Sequence, residues 1–192
     1  PSSKPFDLFN PDRKSSLKLY INRVFITDKC DNLIPAYLRF VKGIVDTQDI
    51  DLNVSREMLQ NNPAVAKISK SLVGKILREL KKIADKDKAK YTQFWNEFGQ
   101  VLKEGLYEDL ERKDTLLELA RFSNNENDDL ISLEDYVNAM DKNQKDIYYI
   151  AADTKSQALS SPHLEGFKSK GIKVLVMADP IDQFWLSMAG QF

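Results

Sequence analysis

The sequence predicts an α/β fold interrupted by a helical stretch, on three observations. Residues 17–26 and 43–45 carry strand patterns on either side of a helix-opening proline. Residues 61–123 carry helical periodicity almost throughout. The strand–helix–strand order then returns between 147 and 177. With 192 residues, 42% hydrophobic and 30% charged, the chain has the composition of an ordinary globular protein. A chain of this size buries about 70% of the surface its unfolded form exposes, enough for one or two cores.

The first region runs from 1 to about 60. Leu17-Lys18-Leu19-Tyr20-Ile21 alternates apolar and polar with period two and runs into Val24-Phe25-Ile26, which predicts a strand with a bulge near Asn22. Pro35 can open a helix at its first turn, with Tyr37, Leu38 and Val41 at helical spacing. Gly43-Ile44-Val45 reads as a buried strand. Strand, helix and strand over about thirty residues form a βαβ crossover, and hence a parallel pair. Two strands alone do not make a stable sheet, so further strands are expected upstream. The opening PSSKPFDLFNP is turn-rich and starts on proline. It reads as a connector in a fragment of a longer protein.

The second region is helical. Val65, Ile68, Leu72, Ile76, Leu80 and Ile83 follow the i, i+3/i+4 rule. A polar loop is expected at Asp85-Lys86-Asp87-Lys88. Tyr91, Phe94, Trp95, Phe98 and Leu102 form a second stripe, and Leu116, Leu119, Ala120 and Phe122 a third. Three helices with short connections predict a small antiparallel bundle. Asn124–Asp129 is a loop of turn formers. In the last region, Ser132–Asp135 and Thr154–Gln157 are capping-box patterns. The first opens a helix over 133–140. Ile147–Ile150 and Val174–Met177 read as strands, and Ser161-Pro162 starts a helix that stops at Gly171.

Several chemistries find no support. Net charge is −1, which gives no reason to expect nucleic acid or an acidic membrane surface as a partner. No apolar run reaches ~18 residues, so no membrane span is expected. The single cysteine, Cys30, cannot form an internal disulfide and suits a reducing compartment. There is no GxxxxGK[ST] or GxGxxG loop for phosphates and no GxSxG nucleophile turn. The single histidine, His163, follows a helix-opening proline and reads as a surface or cap residue. The acidic loop 124–129 lacks the glycine and glutamate of a calcium loop. No metal site is predicted.

Three features remain. The helix over 64–84 carries Lys67, Lys70, Lys75, Arg78, Lys81 and Lys82 against one acid, Glu79. It reads as a solvated face, with an acidic protein or phosphate as the alternatives. The stretch Asp179–Met188 concentrates Phe184, Trp185 and other apolar groups. It reads as core packing or as a sticky patch for another protein. Arg56, within LNVSREMLQNNP, offers a planar fork of five donors that calls for a carboxylate or phosphate. Gln60 lies four residues on, so one helical face could carry both. On spacing alone an intrachain ion pair is the simpler reading, to Asp49 or in the neighbourhood of Glu57.

Long segments of the chain resemble a known family. LYINRVFITD (19–28), LIPAYLRFVKGIVDTQDIDLNVSREMLQ (33–60), FGQVLKEGLYED (98–109), IYYIAAD (147–153) and SPHLEGFKSKGIKVLVMADPID (161–182) look like the middle domain of the heat-shock protein 90 chaperones. FWNEFGQVLKEGLYED and SPHLEGF resemble the bacterial HtpG type more than the eukaryotic ones. The resemblance implies two α/β sandwich subdomains, the first truncated, linked by a small helical bundle, with bounds at 1–62, 63–125 and 126–192. It implies a cytoplasmic, ATP-dependent chaperone in which ATP with magnesium is held mainly by a preceding N-terminal domain. A following C-terminal domain would make the whole protein a homodimer.

Within that resemblance, Arg56 of the SREMLQ motif reaches the γ-phosphate of ATP and Gln60 assists. Phe184 and Trp185 fall where client proteins bind. Neither metal nor cofactor is expected in this chain alone, and no activity. The alternative is a non-catalytic scaffold in which Arg56 is a structural ion pair.

Overall fold

A computed structural model describes residues 3–10, 16–28, 30, 32–50, 59 and 62–187. The fold is mixed α/β. The chain divides at Leu102/Lys103 into two compact units, where the sequence suggests three segments. The helical region is shared between the two units.

The first unit holds a three-stranded sheet in the order β2-β1-β3. β1 (Ser16–Ile21) and β2 (Val24–Thr27) are antiparallel. They are not one strand bulged near Asn22. Asn22 and Arg23 both have positive φ, 49° and 66°, which makes a two-residue hairpin turn of the kind whose twist suits antiparallel strands. The register irregularity sits earlier, between Leu19 and Tyr20. Arg23 is a poor residue for this conformation. Its N–H donates to Asp46 Oδ1 at 3.1 Å, which ties the turn to β3.

β3 (Lys42–Thr47) pairs with β1 in parallel, as the crossover pattern predicts. Strand parity then decides burial. Leu17, Leu19 and Ile21 are buried and stand opposite Gly43, Val45 and Thr47. Lys18 and Tyr20 stand opposite Ile44 and Asp46 on the other face. Ile44 is therefore 67% exposed, and β3 is not the buried strand its three apolar letters suggest. The crossover holds no α-helix either. Pro35 precedes a single 3-10 turn, Ala36–Leu38, because only six residues separate Pro35 from β3, too few for a stable helix. Tyr37 and Leu38 of this turn, and Phe40 just after it, are buried. Phe40 stacks on Phe98 at 5.0 Å and meets Phe94 edge-on at 5.5 Å.

α1 spans Pro63–Lys86. Asn62 caps it by accepting from the Ala64 N–H at 2.8 Å, and Pro63 fills the first turn. The buried stripe is Val65, Val73, Leu77, Leu80 and Ala84. Ile68, Leu72, Ile76 and Ile83 are half-buried at its margins. The expected polar loop shrinks to Asp87, which ends α1 and starts α2 (Lys88–Glu108) by accepting from the Lys90 N–H at 2.9 Å. On α2, Gly99 lies against the Trp95 indole, where a Cβ would come within 2.5 Å of the ring.

The second unit begins inside α2. After a 3-10 turn (Leu110–Arg112), α3 spans Lys113–Leu119 and buries Leu116, Leu117 and Leu119. Phe122, expected on this helix, instead bridges Ile131 in extended pairing. Here the sheet order is β4-β6-β5, with β4 Ser123–Asn124, β5 Tyr149–Ala151 and β6 Leu175–Met177. β5 and β6 are parallel. β6 is central and wholly buried. β5 pairs on one side among the described residues and leaves Tyr149 exposed, so it too is less buried than its letters suggest.

Local signals in this unit hold well. α4 (Leu133–Asn138) opens on the Ser132/Asp135 capping box, with both reciprocal bonds formed. α5 (Lys155–Leu159) is capped by Thr154. Pro162–Leu164 forms a 3-10 turn that leads into α6 (Glu165–Ser169). Gly171 terminates it at φ +64°, with the Ile172 N–H donating back to Phe167 O at 2.9 Å. α7 spans Asp182–Ser187.

Candidate functional site

Arg56 and Gln60 lie outside the described residues. Two described residues near them in sequence are buried: Ile50 before both, and Leu59 between them. Leu59 and the Asn62 cap lead directly into the 24-residue helix α1. The basic residues Lys67, Lys70, Lys75, Arg78, Lys81 and Lys82 are all exposed along α1. Among them, Lys82 Nζ donates to Glu79 at 2.7 Å. That hydrogen bond, then the Lys82 charge and the charges of Lys75 and Arg78, hold the Glu79 carboxyl below the usual carboxylate range.

The second candidate, around Phe184 and Trp185, is described in full, and the two residues separate. They are adjacent on α7, so they point about 100° apart. Phe184 is 58% exposed and Trp185 only 2%. Trp185 packs near Phe122, ring centres 6.2 Å apart, and its indole N–H donates to Asp182 Oδ1 at 2.8 Å. Trp185 is core in this structure, and Phe184 alone of the pair faces solvent. Phe184 meets Tyr107 of α2 edge-on at 6.2 Å, and Tyr107 is itself 48% exposed.

A buried ionic cluster fixes this corner. Asp182 is fully buried. It accepts from Lys103 Nζ at 2.9 and 3.1 Å, from the Asp179 N–H at 3.0 Å and from Trp185. Lys103, also buried, donates to Asp179 Oδ2 at 2.8 Å and lies 4.9 Å over the Phe122 ring. The charges are thus paired and the acceptor capacity of Asp182 is used. Sequence reasoning missed Lys103, Asp182 and Tyr107. Only Lys103 leaves a trace there, as a lone cation directly after the apolar pair Val101-Leu102.

The remaining candidates take ordinary places. His163 is exposed in the 3-10 turn, with its N–H directed to Ser161 Oγ at 3.4 Å. Cys30 is buried. The acidic loop is organised by buried Asn124, which accepts from the N–H groups of Glu126 and Asn127 and donates to Asn127 Oδ1 and Asp129 O. Among the described residues no three His, Cys, Asp or Glu side chains converge as a metal site. No described helix is long and apolar enough to cross a membrane. A polar cleft of about 580 Å³ opens beside Gln144, Tyr148, Lys170 and Lys173, and none of the predicted site residues lines it.

Comparison with known proteins gives these features a family. Residues 1–192 match the Hsp90 protein family throughout. The chain is 57% identical over 187 residues to the chaperone protein HtpG of Paramagnetospirillum magneticum, covering 97% of this chain and 30% of that protein. It is 52% identical over 192 residues to HtpG of Roseobacter denitrificans, covering 100% of this chain and 31% of that protein. Among solved structures it is similar to the middle domain of a Plasmodium falciparum heat shock protein. That match has a TM-score of 0.83 and 34% identity, and covers 98% of this chain and 74% of the other. The chain spans about 30% of the length of the HtpG relatives it matches. Sequence match along the whole chain and shared architecture agree, and the chain belongs to the Hsp90 protein family.

Proposed function

We propose that this chain is the middle segment of an ATP-dependent molecular chaperone of the stress response, working in the cytoplasm. In that role it completes an ATPase whose nucleotide, with magnesium, sits mainly in a separate N-terminal domain. Arg56 reaches the γ-phosphate and Gln60 assists it. The whole protein is a homodimer joined by a C-terminal domain, and its clients are partly folded proteins that touch Phe184. The observation that carries this reading is the family match over the whole chain, SREMLQ segment included.

Physical chemistry supports the division of labour. Phosphoryl transfer builds negative charge on the transferring group, and an arginine delivered from another element stabilises it, by ~10³ to 10⁵ in rate in other systems. Keeping the arginine on another domain makes hydrolysis depend on docking, so that nucleotide state and conformation become linked. Leu59, inside the SREMLQ motif between Arg56 and Gln60, is buried. For the client face, Phe184 offers an exposed ring, while Trp185 and the Lys103–Asp182 pair hold α7 beneath it.

The reading is tested by adding the 192-residue chain to the separately prepared N-terminal domain and following ATP turnover. Turnover rises with the wild-type chain and stays at its basal level with Arg56→Ala. An equal rise with both chains would leave Arg56 as a structural ion pair in a scaffold.

A further inference from the structure

The polar cleft beside Tyr148 lies wholly within the second unit. Its volume of about 580 Å³ is within the range of pockets that enclose small organic ligands. One wall is the stretch that follows α4, from Ala139 to Gln144. The other is the turn from α6 into β6, Lys170 to Lys173. The buried Tyr136 hydroxyl ties the two walls together. It donates to Lys173 O at 2.7 Å and accepts from the Tyr148 N–H and from Gln144 Nε2, both at 3.0 Å. The Tyr148 ring is held in turn beside Phe167, ring centres 4.9 Å apart. A cleft braced in this way is formed before a ligand arrives, which lowers the ordering cost of binding.

The groups that line the cleft decide what fits it. Gln144 Nε2 uses both hydrogens, on Tyr136 and on Asp146 O, so Gln144 Oε1 remains as an oriented acceptor. The Tyr148 hydroxyl and the Asn143 side-chain amide can donate, and neither bonds to another described residue. The charges balance. Lys173 Nζ pairs with Glu126 at 3.1 Å. That leaves Lys170 on one wall and Asp141 on the other, both exposed and neither in an ion pair among the described residues. Asp141 Oδ1 accepts from the Asn143 N–H at 2.9 Å. A phosphate would meet two carboxylates here, and a polycation would meet two ammonium groups. A ligand with one ammonium and one carboxylate, separated by amides, meets the opposite charge at each end.

We propose that this cleft binds a short zwitterionic peptide with both termini free. Its carboxylate lies on Lys170, its ammonium on Asp141, and its amides on Gln144, Asn143 and Tyr148. The site is independent of the part proposed for Arg56 and of the exposed ring of Phe184.

The test uses the isotope-labelled 192-residue chain, trialanine and two-dimensional NMR. Backbone amide signals of Asn143, Gln144 and Lys170 to Lys173 shift saturably at millimolar peptide, and those of α1 do not move. Amidating the trialanine carboxyl, or acetylating its amine, weakens binding ~2- to 5-fold, the worth of one solvated ion pair. Blocking both ends weakens it by about the product of the two. Lys170→Met removes the effect of amidation and keeps that of acetylation. Asp141→Asn, which retains an acceptor for the Asn143 N–H, does the reverse. If trialanine shifts none of these signals, the site is wrong. Equal affinity for the free and the doubly blocked peptide overturns the zwitterion preference, and so does inorganic phosphate that displaces trialanine at equal concentration. A Lys170→Met chain that still prefers the free carboxyl overturns the placement of the two ends. The blocked peptides are compared on the wild-type chain, so the test remains decisive if a variant fails to fold.

Discussion

Lys103 and Asp182 are separated by 79 positions and joined at 2.9 Å with both side chains almost wholly out of water. Removing one partner of such a pair leaves an uncompensated buried charge, at a cost of about 3–5 kcal/mol. Lys103→Met is therefore expected to lower the stability of the second unit by that amount in urea denaturation. Lys103→Met combined with Asp182→Asn recovers part of the loss, because the amide is neutral and still accepts from Trp185. A Lys103→Met chain as stable as wild type would show that the pair contributes nothing.

Neighbouring aromatic residues on α7 are expected to respond in opposite ways. Trp185→Ser empties a core site and removes the indole donor to Asp182, costing about 3–5 kcal/mol. Phe184→Ser changes an exposed ring and shifts stability by less than about 1 kcal/mol. Thermal melts of the two variants check this directly. Similar losses for both would mean that Phe184 is also core.

Gly99 is required by the Trp95 indole rather than by its backbone. A Cβ at this position would meet the ring at 2.5 Å, and overpacking of this kind costs about 1–3 kcal/mol. Gly99→Ala is expected to destabilise the first unit although alanine is the better helix former. Chemical denaturation followed by circular dichroism of wild type and variant measures the change, and a stabilised variant would contradict the geometry.

Asp128 is fully exposed. The hydrogen bond from Lys155 at 2.9 Å, and then the Lys155 charge, hold its carboxyl below the ordinary carboxylate range. A carboxyl lowered in the folded state stabilises it above the unfolded value, and that contribution is lost as pH falls through the folded value. An NMR titration of Asp128 should show a lowered midpoint, and Lys155→Met should return it to the ordinary range. An unchanged midpoint in that variant would remove Lys155 as the cause.

Features encoded within a few residues were legible in the sequence. The Ser132/Asp135 box, the Asn62–Pro63 start of α1 and the Gly171 stop are each set by local backbone chemistry. The parallel pairing of β1 and β3 was legible from element order. Burial of β3 was not, because a run of apolar letters does not say which face of a strand is covered. Nor was the missing crossover helix, since Pro35, Tyr37 and Leu38 suit a 3-10 turn equally well. The Lys103–Asp182 pair and the Tyr107–Phe184 contact join residues far apart in sequence and leave no periodic trace. Arg56 is the reverse case: its residue type called for an anion, and only resemblance to a family named one.

Whether Arg56 acts on ATP or on a neighbouring carboxylate is decided by ATP turnover of the full-length protein carrying Arg56→Ala or Arg56→Lys, with nucleotide affinity measured alongside. A planar fork is not replaced by a point charge, so both variants should lose ~10²-fold or more in turnover and keep nearly wild-type affinity. Wild-type turnover in Arg56→Ala would contradict the account.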